Sequence, residues 1–223
     1  LLPRKRGRGR QLRRMGVTEY GESLASRLYP GNTLSQHVLP SSVQELESVF
    51  PLSWAKRRSI CLRMDAGFGT DTNLDWLLQR DYHLLAKSLS GSRAGIWGKR
   101  ISDWQTLETD RRWIALPEQQ LHFCRPTRTL ALRWLDMHGK LKHALYVVTD
   151  LHTPMVELAQ RYDLRGGFEV DIREDKQGLL LTHRRKRLWG AQETLVLLND
   201  LAHNFLIMFR RQFLQNTPFE KFG

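Results

Sequence analysis

Tyr162, Arg165, Glu169 and Lys176 follow one another at offsets of 3, 4 and 7. On one continuous helix these offsets would set a phenol, a guanidinium, a carboxylate and an ammonium on a single face. One acid between two bases, with a phenol beside it, suits a metal ligand held next to phosphate contacts. The same spacing also reads as a solvated helix face, with an Arg165–Glu169 pair worth about 0.3 kcal/mol. A second acid, Asp65, directly follows the mostly apolar run Ser59-Ile60-Cys61-Leu62-Arg63-Met64 and precedes the small-residue turn Ala66-Gly67-Phe68-Gly69. That is the position of a carboxylate at the carboxyl end of a strand. Asp150 closes another run, Leu145-Tyr146-Val147-Val148-Thr149. It reads as a cap for a helix starting at Pro154, or as a replacement metal ligand.

These acids need elements to hold them. Tyr20 to Tyr29 is compatible with a strand, ended by the turn Pro30-Gly31-Asn32. Val38, Val43, Leu46 and Phe50 recur at near-helical spacing, and Pro40-Ser41-Ser42 and Pro51 bracket a helix over 41–49. After the strand that ends at Asp65, Asp71 or Thr72 can cap a helix carrying Leu74, Leu77 and Leu78, and Tyr82 to Lys87 reads as a further strand. A strand-helix-strand unit of this kind predicts parallel neighbours. Residues 102–150 read as an all-β insertion with a hairpin: Thr129 to Leu135, a turn at Asp136-Met137-His138-Gly139, then Leu141 to Thr149. Helical text starts at Thr153-Pro154 and runs to about Lys176. A last helix over 191–213 would turn Leu195, Leu198, Ala202, Phe205 and Phe209 to the core.

The chain has 223 residues, 41% hydrophobic, with 35 Lys and Arg against 23 Asp and Glu. Such apolar content excludes a wholly disordered chain and fits one domain with an insertion. Residues 1–14 contribute seven bases and no acid to a net charge of +12. That end reads as a flexible tail, ordered by an anionic partner or simply a solvated linker. The apolar stretch Leu195 to Phe209 is broken by Asn199, Asp200, His203 and Asn204, so no segment reads as a membrane span. Cys61 and Cys124 show neither zinc nor disulfide spacing. A reducing, intracellular compartment follows as the expectation.

In its acids and signature the chain resembles the DDE-class transposases of bacterial insertion sequences, in the branch marked by Tyr-(2)-Arg-(3)-Glu-(6)-Lys. All four signature positions match, at Tyr162, Arg165, Glu169 and Lys176. The segment Leu62 to Gly69 is similar to the family's second catalytic aspartate and its turn. Further similarity lies in Arg27 to Asn32, Asp171 to Lys176 and Leu197 to Asn204, so the resemblance covers about residues 22–209. It implies an α/β, RNase H-like mixed sheet flanked by helices, with the β-rich insertion before the glutamate-bearing helix. The implied divisions are a basic tail (1–19), the first part of the core (20–101), the insertion (102–150), the helical remainder (151–215) and a terminal tail (216–223). It further implies a two-metal site for Mg²⁺, with Mn²⁺ as substitute, in which Asp65 and Glu169 are catalytic metal ligands. Tyr162, Arg165 and Lys176 would contact DNA phosphates, and Arg173 with Arg184, Arg185, Lys186 and Arg187 would extend that surface. Transposon ends and target DNA are the implied partners, engaged by a homodimer in a synaptic complex, cytoplasmic and nucleoid-associated, with no membrane. Of Trp97, Trp104, Trp113 and Trp134, each reads as ordinary packing or as a face for an extruded base.

Residues 1–19 contain no Asp. The family's first aspartate is therefore expected before Leu1, which makes the chain an N-terminally truncated transposase and a poor catalyst by itself. Two other readings stand beside it: an inactive DNA-binding or transposase-interacting remnant, and a basic RNA-binding protein led by the Arg-Gly tail.

Overall fold

A computed structural model describes residues 10–17, 19–107, 111–164, 177–179 and 187–219. The chain is a mixed α/β protein, divided into one unit spanning 34–163 and another built from the two ends of the chain. Among the described residues it has a six-stranded mixed sheet, a separate two-stranded hairpin and six α-helices. No helix among them is long and apolar enough to cross a membrane.

In the unit 34–163 the elements are α1 (Ser35–Val49), α2 (Trp54–Arg57), β3 (Cys61–Met64), α3 (Asp71–Gln79), β4 (His83–Lys87), α4 (Gly91–Gly98), β5 (Gln105–Thr106), β6 (Arg112–Ala115), β7 (Arg128–Leu135), β8 (Leu141–Val148) and α5 (Met155–Asp163). The sheet order is β3-β4-β8-β7-β6-β5. As the strand-helix-strand pattern predicts, β3 and β4 are parallel, with Cys61 opposite His83 and Met64 opposite Ala86. The β7–β8 hairpin forms with Thr129 opposite Val147 and Leu135 opposite Leu141. It is not set apart from the first strands: β8 pairs antiparallel with β4, so residues 102–150 build most of one continuous sheet.

One face of this sheet sends Leu85, Ile114, Leu130, Leu132, Tyr146 and Val148 against Leu158, Ala159 and Tyr162 of α5. The other brings Ala131 and Leu145 against Ala94 of α4. The period-2 alternation of β7 and β8 therefore serves two cores at once. On α3, Leu74, Leu77 and Leu78 are fully buried, at helical spacing.

Two helix starts differ from their sequence expectation. Thr70 caps α3, its hydroxyl accepting from the Asn73 amide at 3.2 Å, whereas Asp71 lies inside the first turn and pairs with Arg93 at 2.7 Å. α1 begins at Ser35, so Pro40 lies inside the helix. A proline there cannot donate to the carbonyl four residues back. The Asn73 side chain supplies the donor, reaching the Gln36 carbonyl at 2.9 Å.

The second unit holds β1 (Arg10–Gly16), β2 (Ser23–Pro30) and α6 (Trp189–Phe209), which is followed by a π-helical turn, Arg210–Leu214. Residues 10–16, expected in a flexible tail, are a strand paired antiparallel with β2. The physical reason is a distant partner: Leu12 joins Leu28 and Val196 in a small core, and Arg14 donates to Asp200 of α6 at 2.6 Å. α6 also reverses the expected facing. Its inward stripe is Gln192, Val196, Asn199, Asp200 and His203, while Leu198, Phe205 and Phe209 are exposed. Asp200 and His203 face inward because each finds a specific group in the hairpin, Asp200 taking the Arg14 guanidinium. His203 Nε2 bonds the Gly21 carbonyl at 2.8 Å, and Asn204 bonds both the amide and the carbonyl of Ser23 at 2.8 Å.

Candidate functional site

Asp65 stands at the carboxyl end of β3, exposed, its Oδ1 accepting from the Ala66 amide at 2.8 Å. The backbone turns back at once, Phe68 N bonding the Asp65 carbonyl at 3.1 Å and Gly69 N the Ala66 carbonyl at 3.0 Å. Three anchors hold this turn. The Leu89 amide donates to the Gly69 carbonyl at 2.8 Å, joining the turn to the end of β4. At Gly69 a Cβ would sit 1.9 Å from the Lys87 carbonyl oxygen, so only glycine permits that approach. Asn73, buried inside α3, donates to the Phe68 carbonyl at 3.0 Å with the same amide that satisfies Gln36. Nothing in the sequence around Asn73 singles it out, because both its partners are main-chain oxygens remote from it in the chain.

The third anchor comes from α5. Tyr162 is 6% exposed and belongs to the core, its ring 4.3 Å from that of Tyr146. Its hydroxyl donates to the Met64 carbonyl at 3.2 Å, one residue before Asp65. Arg63 meanwhile donates to the Arg161 carbonyl at 2.7 Å, near the carboxyl end of α5. A tyrosine expected to touch phosphate is thus a positioning residue for the end of β3. Of the other signature residues, Arg165, Glu169 and Lys176 lie outside the described residues, as do Arg173, Arg184, Arg185 and Lys186. Arg187 is exposed in the second unit, and its carbonyl accepts from Arg10 at 2.7 Å.

Asp150 lies at the other end of the sheet. β8 runs against β4, so Thr149 bonds Leu84, at the beginning of β4, while β3 and β4 run together away from it toward Asp65. Four residues of strand, about 13 Å, separate the two levels. A pair of metal ions sits about 4 Å apart, so Asp150 cannot share one with Asp65. Its oxygens are used locally: it accepts from the Thr153 hydroxyl at 2.7 Å, the Thr153 amide at 2.9 Å and the His152 amide at 3.1 Å, and it faces Arg161 at 3.7 Å. These bonds, the Thr153 hydroxyl foremost, pull its carboxyl down to about 2. Both amides precede α5, which starts at Met155, so Asp150 closes the loop between β8 and α5 and does not cap the helix itself.

The tryptophans are engaged with cations and core. Arg133 lies between Trp104 and Trp113, 4.4 and 4.8 Å from their ring centres. Lys87, at the end of β4, lies 5.1 Å over Trp134. Trp97 borders a cavity of about 550 Å³ with Arg100, Asp103, Glu118 and Met155.

A divalent cation needs several oxygen ligands converging on it. Among the described residues no group of three or more His, Cys, Asp or Glu side chains could hold a metal ion. Asp65 by itself does not fit such a site. No family model matches this chain, and no curated protein matches it in sequence.

Proposed function

We propose that this chain is catalytic-domain material of a DNA transposase, with an RNase H-like core in which Asp65 and Glu169 are two of the carboxylates that act on phosphodiester bonds. One observation carries the reading: the Tyr162–Met64 hydrogen bond ties the end of α5 to the end of β3 beside Asp65. The chain leaves α5 at that point, and Glu169 follows Tyr162 by seven residues. β3 is also the terminal strand of its sheet among the described residues. A further strand carrying a third carboxylate would pair along that edge.

The chemistry assigned to the group is in-line cleavage and strand transfer at transposon ends, with Mg²⁺ or Mn²⁺ supplying the Lewis acid. The residues of this chain hold the acid and shape its turn. A second reading, a catalytically inactive DNA-binding remnant, is favoured by one observation: Asp65 has no second and third acidic neighbour among the described residues.

Metal-dependent nicking of DNA carrying the element's ends separates the two, assayed with this chain and with a version lengthened upstream. Nicking that is lost in both Asp65→Ala and Glu169→Ala supports the transposase. DNA binding without nicking in either version supports the remnant.

A further inference from the structure

We infer that the face of the sheet turned toward α4 holds a phosphate-binding site built around Arg133. Trp113, Arg133 and His143 are direct partners across β6, β7 and β8, so their side chains form one row on that face. Ala131 and Leu145, two residues along the same strands, pack against Ala94 of α4. The row lies just past that contact. The end of α4 closes it on one side: a Cβ at Gly98 would collide with the His143 ring, so the helix meets the imidazole with its backbone, and Lys99 follows directly. Trp104 packs on the same face, its ring fixed by Nε1 donating to the Ile101 carbonyl at 3.0 Å and centred 6.3 Å from that of His143.

Arg133 is a cation held in place without a counter-charge. Its guanidinium lies 4.4 Å from the centre of the Trp104 ring and 4.8 Å from that of Trp113. The indole faces attract it and fix its plane, yet they leave its charge whole. Among the described residues no acid pairs with it, and its Nε is buried without a hydrogen bond. Asp103, the acid next to Trp104, lines the cavity beside Trp97 and Arg100. The terminal nitrogens of Arg133 have no acceptor among the described residues either, and they are reachable from solvent. A planar fork of this kind matches two oxygens of a phosphate, and with its rotamer already fixed it loses little freedom on binding. His143 reports the local field. After burial, the charges of Arg133 and Lys99 hold its imidazole below the usual range, and no acid opposes them. An oxyanion is the group that relieves a positive potential on so dry a floor.

A DNA backbone and free phosphate share this chemistry, and DNA as the source rests on the transposase reading. Fluorescence anisotropy of a labelled duplex in EDTA, across a potassium glutamate series, compares the wild type with Arg133→Gln. Lys56→Gln, at an exposed lysine of α2, is the control of equal charge change. Loss of one phosphate contact should lower the slope of log affinity against log salt by about 0.9 and weaken binding roughly tenfold. The control should change affinity less than twofold. On the wild-type protein, proton NMR follows the His143 ring, identified by its loss in His143→Gln. Duplex, or inorganic phosphate measured against chloride at equal ionic strength, should raise the imidazole's titration by about half a pH unit, because the anion offsets the Arg133 and Lys99 charges. A shift with duplex and a lowered slope in Arg133→Gln support a DNA-borne phosphate. A shift with inorganic phosphate alone, with the variant's slope equal to the control's, supports the site and overturns DNA as its source. No shift with either anion overturns the site, and duplex binding by the wild type then leaves the transposase reading standing. A wild type that binds no duplex overturns that reading, while the phosphate titration still decides the site.

Discussion

The hydroxyl of Tyr162 donates to the carbonyl of Met64 at 3.2 Å, so a helix residue fixes the strand end that presents Asp65. Removing only that hydroxyl isolates the bond. Tyr162→Phe should destabilise the protein by about 1 kcal/mol in urea unfolding. Tyr162→Ala, which also empties the space beside Tyr146, should cost about 4 kcal/mol. Equal losses in the two variants would mean the hydroxyl carries the whole effect and the packing none.

Arg14 and Asp200 test the reversed facing of α6. Their side chains are 0% and 12% exposed, and the bond is 2.6 Å. Asp200→Ala leaves a buried guanidinium without its acid and should cost about 3 kcal/mol or more. Leu201, one residue on, is 52% exposed, and Leu201→Ala should stay within about 0.5 kcal/mol. Thermal melts of the two variants decide it, since a helix facing the other way would reverse the order.

Asp150 makes stability depend on acid. Its carboxyl falls from 3.8 in the unfolded chain to about 2 in the fold, the Thr153 hydroxyl bond being the largest cause. Below its unfolded value the unfolded chain takes up the proton first. The contribution is therefore whole above pH 4 or so, falls as pH drops through the interval between those values, and is gone below 2. Discounted for the side chain's partial exposure, it amounts to about 1 kcal/mol. Asp150→Asn should flatten the unfolding midpoint across that interval, and an unchanged profile would remove Asp150 from the account.

Gly69 and Gly95 should respond in opposite directions to alanine. A Cβ at Gly69 meets the Lys87 carbonyl oxygen at 1.9 Å, whereas at Gly95, inside α4, nothing lies within 4 Å. Gly69→Ala should cost about 2 kcal/mol as the turn beside Asp65 shifts, and Gly95→Ala should gain about 0.7 kcal/mol from helix propensity. Denaturation midpoints read both.

Much of the sheet was legible because its signals are local. Asp65 could be found from the apolar run before it and the glycines after it, and the β7–β8 hairpin from two alternating runs around Asp136 to Gly139. Strand β1 was hidden, since Arg10 to Gly16 becomes a strand only through β2 and α6, the latter nearly the whole chain away. α6 misled because apolar spacing was taken as the inward stripe, while Asp200 and His203 have partners in the hairpin that outweigh it. Tyr162 was noticed for its spacing to Arg165 and Glu169, yet its hydroxyl faces Met64. Asn73 escaped altogether, its two acceptors being backbone oxygens that no residue type announces.

The oxygen of Gln36 has two claimants in principle: the amide four residues on, which Pro40 lacks, and the side chain of Asn73, which takes the place. Positions 40 and 73 are therefore bound as alternatives. An N–H at 40 would relieve Asn73 of Gln36 alone, since the same amide also holds the Phe68 carbonyl, whereas a proline at 40 needs a donor at 73. The two sites should drift together through evolution although their side chains need never touch, and a double-mutant cycle between Pro40→Ala and Asn73→Ala should be far from additive.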